Sequence, residues 1–369
     1  MADLVLEGGG VKGIGLVGAV VALDAAGYRF RRVAGTSAGA IVAAIVAALA
    51  VAQRPIAQVN DYLRTIDYPK FMAASRVRAA WGIAGDAEHL LLHAGLYDGD
   101  YLIEWLGGVL NEIGPTRFGD LRIVDEHADL NWTAAHRYSL VVHTADISRG
   151  KIVRLPWEYP LYGVDPDNER IVDAVRASMS IPFFFEPVRF HATAATIDDV
   201  DYPAGTVTWV DGGLLDNFPV DVFDRTDGAP ARWPTIGVKL SGRATVIPRP
   251  RAIPNVLEET KACLHALLDN ADRYYVTPEK AERTIFVDNN GVKATEFGIT
   301  PPAQQLLYDA GMKAAGAWMA GTPVTTATAT TGPADASATA SPVVPTPGQR
   351  RPGESDPAVG PLPGALGAD

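Results

Sequence analysis

Residues 38 to 52 form an uninterrupted run of 15 small or apolar side chains, and this run limits the folds open to the chain. A helix that is apolar on every side has to be packed on most sides. At 15 residues it falls short of the about 20 needed to cross a bilayer, so a buried core helix is expected. A β-like run, Phe30 to Ala34, leads into it through Gly35-Thr36-Ser37.

Strand-like and helix-like segments alternate around this unit. Asp3 to Glu7 reads as a short buried strand, and Val11 to Ala26 as a helix closed by Gly27. Further strands are expected at Tyr138 to Thr144, Thr206 to Val210, Thr235 to Leu240 and Arg283 to Val287. Such alternation predicts an α/β fold, with a largely parallel central sheet flanked by helices.

The 369 residues have room for one large domain or two ordinary ones, and 47% apolar residues suffice for a core. From Gly321 onward the chain turns to Thr, Ala, Pro, Gly and Ser, without lysine or aromatic residues. That composition cannot bury enough apolar surface to offset ordering entropy, so 321–369 is expected to be a disordered tail behind a domain of residues 1–320. A formal charge of −11 and no long basic run argue against nucleic acid as a partner. Cys263 is the single cysteine, which excludes an intramolecular disulfide and a thiolate zinc site. It lies in the helix-like Leu257 to Asn270, and a buried apolar cysteine is the expectation there. No basic stretch followed by an apolar one opens the chain, so a cytoplasmic location without signal peptide or membrane span is expected.

Three short stretches carry chemistry. In Gly8-Gly-Gly-Val-Lys-Gly13, the residues Gly8, Gly10 and Gly13 match a phosphate-cradling G-x-G-x-x-G loop. A dinucleotide site would need an acidic residue about 20 positions further on, at the end of the second strand. Asp24 comes too early, inside the first helix, and that strand runs out at Ala34-Gly35-Thr36. A nucleotide-gated or partner-gated effector or binding protein is the alternative of another class.

Gly35-Thr36-Ser37-Ala38-Gly39 is G-x-S-x-G between a strand and a helix, the setting in which a serine is held on a sharp turn. The helix N-terminus behind Ser37 favours developing negative charge. Asp211, in Trp209-Val-Asp-Gly-Gly213, ends a β-like run; it reads either as a carboxylate on an open strand end or as an Asp-Gly hairpin turn. The histidines offer little: His265 lies mid-helix, and His89 and His93 stand four apart without a third ligand. Asp165-Pro-Asp-Asn168 starts like a calcium loop but has Arg176 where the closing Glu belongs. No metal and no cofactor are expected.

Taken in order, Gly8 to Gly13, Gly35 to Gly39 and Asp211-Gly212-Gly213 resemble the motifs of the patatin-like phospholipase family. Ala177 to Pro187, Asn217-Phe-Pro219 and Phe297-Gly-Ile-Thr300 ahead of a final helix look like it too, so the resemblance spans roughly residues 3 to 320. It implies a three-layer α/β/α fold and a Ser37-Asp211 dyad, with Ser37 as nucleophile and Asp211 as its base. Gly8, Gly9, Gly10 and Gly13 would form the oxyanion loop, with backbone N–H groups around Gly9 and Gly10 facing the carbonyl oxygen. Lys12 would either add charge there or be a solvated first-turn lysine. Gly35, Gly39, Gly212 and Gly213 would support the two turns. The implied activity is cleavage of phospholipid or lysophospholipid esters through an acyl-Ser37 intermediate. A thioesterase, a triacylglycerol lipase and an acyltransferase would use the same dyad.

Residues 64 to 81 interleave Arg64, Lys70, Arg76 and Arg78 with Tyr68, Phe71, Met72 and Trp81. Two readings stand side by side: a lid or transient membrane-docking surface for lipid access, and a surface helix with snorkelling basic side chains.

Overall fold

The computed structural model describes residues 1–72, 97, 99–124, 137–226, 231, 233–240, 253, 259, 262, 277–294 and 296–321. Ten strands lie among them: β1 (Ala2–Leu6), β2 (Phe30–Thr36), β3 (Leu140–Asp146), β4 (Lys151–Leu155), β5 (Val188–Ala192), β6 (Ala195–Ile197), β7 (Val200–Tyr202), β8 (Gly205–Asp211), β9 (Thr235–Lys239) and β10 (Thr284–Phe286). The helices that frame the site are α1 (Ile14–Ala25), α2 (Ala38–Val51), α3 (Gln58–Arg64), α4 (Asp100–Ile113), α5 (Ile171–Ser178) and α6 (Pro301–Met319).

The main sheet runs in the order β10-β9-β1-β2-β3-β8-β5. β10, β9, β1, β2 and β3 are parallel, while β8 pairs antiparallel with both β3 and β5. β6 and β7 form a separate ribbon. The expected α/β architecture, a mostly parallel sheet flanked by helices, is the one observed.

One detail of the register builds the site. His143 of β3 pairs with Thr36 on one edge and with Arg154 of β4 on the other. Thr144, the next residue, pairs with Val153 of β4 and with Asp211 of β8. Since β4 occupies one edge throughout, β2 and β8 must share the opposite edge and meet there end to end. Thr36 and Asp211 thus face consecutive residues of β3, although 175 positions separate them in the sequence.

The apolar run explains where helix α2 goes. It is buried from Ala38 through Leu49, against the sheet on one side and against α3, α4 and α5 on the other. Ile41, Val42, Ile45, Val46 and Leu49 are each at most 6% exposed, and burying such a side chain contributes about 1.5–3 kcal/mol. Along β1, Leu4 and Leu6 join this large core, whereas Val5 points the other way, into a smaller cluster with Phe218, Val220 and Phe223. α6 lies against α1 at very short range. A Cβ on Gly18 would stand 2.0 Å from the Tyr308 carbonyl oxygen, and one on Gly311 would stand 2.0 Å from that of Gly15.

The first helix begins later than its apolar pattern predicts. Gly10–Gly13 forms a 3-10 turn, and the α-helix starts at Ile14. All the elements fall within residues 1–326, which form one compact unit. The disorder expected over 321–369 concerns positions that, past Gly321, lie outside the described residues, as do Cys263, His265, His89 and His93.

Candidate active site

Ser37 stands on the turn between β2 and α2 with φ 53° and ψ −123°. A positive φ at a non-glycine residue costs of order 1–3 kcal/mol and persists only where its surroundings enforce it. Here the flanking backbone does so. A Cβ on Gly35 would lie 2.3 Å from the Gly39 carbonyl oxygen, and one on Gly39 would lie 2.3 Å from that of Leu6. Only glycine permits main chain to approach main chain so closely.

The Ser37 hydroxyl donates to Asp211 Oδ2 at 2.7 Å. Asp211 is the last residue of β8, and its other oxygen, Oδ1, accepts the Gly213 N–H at 2.8 Å. Both residues are buried, Ser37 at 4% and Asp211 at 2% exposure. Burial pushes the Asp211 carboxyl up to about 7, against the smaller opposing effect of the bonds from Ser37 and Gly213. Gly212 fits against the main chain of β3: a Cβ there would meet the His143 carbonyl oxygen at 2.4 Å.

The glycine loop lies against this pair. A Cβ on Gly8 would be 3.1 Å from Ser37 Cβ, and one on Gly13 would be 3.0 Å from Ala38 Cβ. Gly10 has φ +56°, and a Cβ there would strike the Ala294 carbonyl oxygen at 2.0 Å. Asn217 straps the loop from both sides, its carbonyl taking the Gly8 N–H at 3.1 Å and its amide donating to the Gly8 carbonyl at 3.2 Å. No described residue accepts a hydrogen bond from the backbone N–H of Gly9 or Gly10. Just before the loop, the buried Glu7 carboxylate pairs with Lys239 and accepts the Leu240 N–H, tying the end of β1 to the end of β9. Lys12 is half-buried. Its Cε would be 3.4 Å from a Cβ on Gly9, so the side chain lies along the loop. Asp24, the wrongly spaced acid of the nucleotide alternative, pairs with Arg29 at 2.9 Å.

An apolar cleft opens beside Ser37. Its walls include Ile41 of α2, Leu63 of α3, Phe71, Met179, Phe185 and Phe297. Tyr68 and Phe71 belong to these walls and are buried, at 8% and 4% exposure. In the basic and aromatic stretch 64–81, therefore, two of the aromatic side chains face the cleft. Lys70 of the same stretch is exposed beside Asp67, and Arg64 bonds Gln305. Arg76, Arg78 and Trp81 lie outside the described residues.

Among the described residues no group of His, Cys, Asp and Glu is arranged to hold a metal ion. Asp165 and Asp167, at the start of the calcium-like stretch, are used locally: Asp165 caps a short 3-10 turn and Asp167 pairs with Arg122. His143 is buried beneath the Asp211 turn, its Nδ1 3.7 Å from Asp216 Oδ2, and burial drives its pKa down to about 3. At that distance the two make no hydrogen bond, and the imidazole is neutral.

The model of the family described as patatin-like phospholipase matches residues 4–224, more than half the chain. The chain belongs to the patatin-like phospholipase family. Its members are lipid ester hydrolases, and membership makes this chain a lipid hydrolase in that general sense. It is 31% identical over 321 residues to the protein YqhO of Bacillus subtilis (strain 168), covering 84% of this chain and 95% of that one. Among solved structures it is similar to VipD from Legionella pneumophila, at 18% identity and a TM-score of 0.46 over 87% of this chain and 67% of VipD. It is also similar to ExoU of Pseudomonas aeruginosa, solved with SpcU, at 17% identity and a TM-score of 0.41 over 87% of this chain. That match covers 51% of ExoU, so this chain spans about half its length. No described helix is long and apolar enough to cross a membrane.

Several contributors escaped the sequence reading. Ser178 and Asn217 bond to the Ser37 turn and to Gly8, and the stretch after α5 supplies the cleft residues Met179, Ile181 and Phe185. Both regions were visible as patatin-like stretches, yet no residue type within them signalled a role. A serine that bonds only backbone leaves no pattern in sequence.

Proposed function

We propose that this patatin-like chain cleaves carboxylic esters of phospholipids or lysophospholipids through an acyl-Ser37 intermediate. The observation that carries the reading is the 2.7 Å bond from Ser37 Oγ to Asp211 Oδ2 at the edge of an apolar cleft. Ionised Asp211 takes the hydroxyl proton as Oγ attacks the ester carbonyl. The collapsing intermediate expels the alcohol, which leaves with that proton. Water then repeats the sequence on the acyl-enzyme, releasing the fatty acid and restoring both side chains.

Two features support this chemistry. An exposed aspartate is too weak a base to draw much on a serine hydroxyl, but a carboxyl held near 7 is three orders of magnitude more basic and still half ionised at neutral pH. The developing oxyanion needs donors already in place, each worth roughly 2.7–4 kcal/mol. In this reading the N–H groups of Gly9 and Gly10 supply them, next to a turn whose helix N-terminus adds partial positive charge. The cleft would hold an acyl chain, since its walls are aliphatic and aromatic side chains.

Fatty-acid release from phosphatidylcholine vesicles, lysophosphatidylcholine, triolein and palmitoyl-CoA tests the substrate class. The phospholipid or lysophospholipid is expected to turn over fastest, with water as acceptor. Preferential cleavage of palmitoyl-CoA or of triolein would assign the same dyad to a thioesterase or a lipase. Transfer of the chain to an added alcohol at the expense of free acid would make it an acyltransferase.

A further inference from the structure

The C-terminal end of α5 reaches both members of the dyad. Ser178 is fully buried; its hydroxyl accepts the Ser37 N–H at 2.9 Å and donates to the His143 carbonyl at 2.5 Å. Two residues further on, the Ser180 carbonyl accepts the Asp211 N–H at 2.8 Å. Arg176 braces this segment in turn, donating to Ser180 Oγ at 2.5 Å and to the Glu186 carbonyl at 2.9 Å.

The need for such a brace follows from the turn. β2 ends at Thr36 and α2 begins at Ala38, so the N–H of Ser37 falls between the strand ladder and the helix. A buried donor left without an acceptor loses its bonds to water and gains nothing in return. At this residue the main chain is also strained, so the unsatisfied donor and the strain would relax together by turning the peptide and moving Oγ.

We infer that Ser178 is a positioning residue: its hydroxyl clamps the Ser37 main chain to β3, keeping Oγ aligned with Asp211. The inference rests on the dyad reading. Ser178 acts through Ser37 and touches no substrate. Its neighbours Met179 and Ile181 line the cleft, but its own side chain does not. Removing the hydroxyl should therefore slow turnover without weakening binding.

Rates on p-nitrophenyl butyrate, a soluble ester, with Ser178→Ala, Ser178→Thr and Ser37→Ala beside the wild type test this, each checked for folding by circular dichroism. Misplacing a reacting group by 1 Å costs up to about 10²-fold, so Ser178→Ala is expected to lose about 10-fold or more in kcat with KM within about 2-fold. Hydrogen exchange at the Ser37 amide should quicken in the same variant. Ser178→Thr keeps the hydroxyl and is expected to regain most of the rate. A folded Ser178→Ala with wild-type kcat, a loss confined to KM, or a threonine variant as slow as the alanine one would overturn the assignment. Should Ser178→Ala not fold, Ser178→Cys replaces it, with a poorly hydrogen-bonding group of similar shape and the same limits. An active Ser37→Ala would instead remove the dyad reading, whatever Ser178 does.

Discussion

Ser37→Ala is expected to lower ester hydrolysis by about 10³-fold or more while leaving the fold intact. Loss of a serine nucleophile leaves only what the oxyanion donors and binding contribute, a residual of about 10³–10⁴ over water, and discards the rest. Among the described residues there is no substitute nucleophile paired with Asp211 at the same point. The described histidines are His143, whose nitrogens bond nothing, and His191, on β5. Alanine has the same backbone preferences as serine at the strained turn, and the Ser178 bond to residue 37 involves only its N–H. Initial rates with p-nitrophenyl butyrate, together with thermal unfolding, measure both halves of the expectation. A variant retaining a tenth of wild-type activity would exclude Ser37 as nucleophile.

Asp211→Asn is expected to be nearly as inactive and, above neutral pH, more stable than the wild type. Its amide cannot take the Ser37 proton, so the first step loses its base. The stability effect follows from burial. In the folded chain the carboxyl titrates at about 7, against an ordinary value of 3.8, so between these two pH values the native state holds a proton that the unfolded chain has released. Stability therefore falls as pH rises from about 4 to about 7 and levels off beyond. The span is roughly three pH units, which at 1.36 kcal/mol each sets an upper bound of about 4 kcal/mol. Asparagine has nothing to titrate. Denaturant unfolding should show the variant ahead of the wild type at pH 8, with the gap closing towards pH 4. In the active enzyme the same titration should make kcat/KM rise with pH through an apparent value near 7. A gap independent of pH, or a rate that is flat from pH 5 to 8, would contradict the raised carboxyl.

The gain from losing Asp211 illustrates how the site is built at a cost. A buried carboxylate and a serine at positive φ are each unfavourable for folding. Helix α2, with aliphatic side chains on every face, and the parallel strands beneath it supply the apolar burial that holds them in place.

Much of this was legible from residues. The run from Ala38 and the β-like Phe30 to Ala34 placed a strand, a turn and a buried helix correctly, because burial on all sides leaves no other use for such a run. Asp211 was harder. The Asp-Gly pair alone fits a hairpin, and only the end-to-end meeting of β2 and β8 along one edge of β3 brings it to Ser37; that register is a tertiary property. The 3-10 start at Gly10 was hidden because an apolar pattern does not register the carbonyl of Ala294, to which Val11 N–H bonds at 3.0 Å. β4 to β7, with shorter or half-exposed runs, carry too little periodicity to stand out. Tyr68 and Phe71 show the converse difficulty: basic residues around them suggested a surface, while both rings turn inward to the cleft.

Covalent labelling with a fluorophosphonate, followed by peptide mapping, tests the central claim most directly, since the reagent marks a serine only where its hydroxyl has been made nucleophilic. The account predicts a single adduct on Ser37, formed faster as pH rises through about 7 and at least about 10²-fold slower in Asp211→Asn. An adduct on another residue, or labelling of Ser37 at the same rate with and without the Asp211 carboxylate, would contradict it.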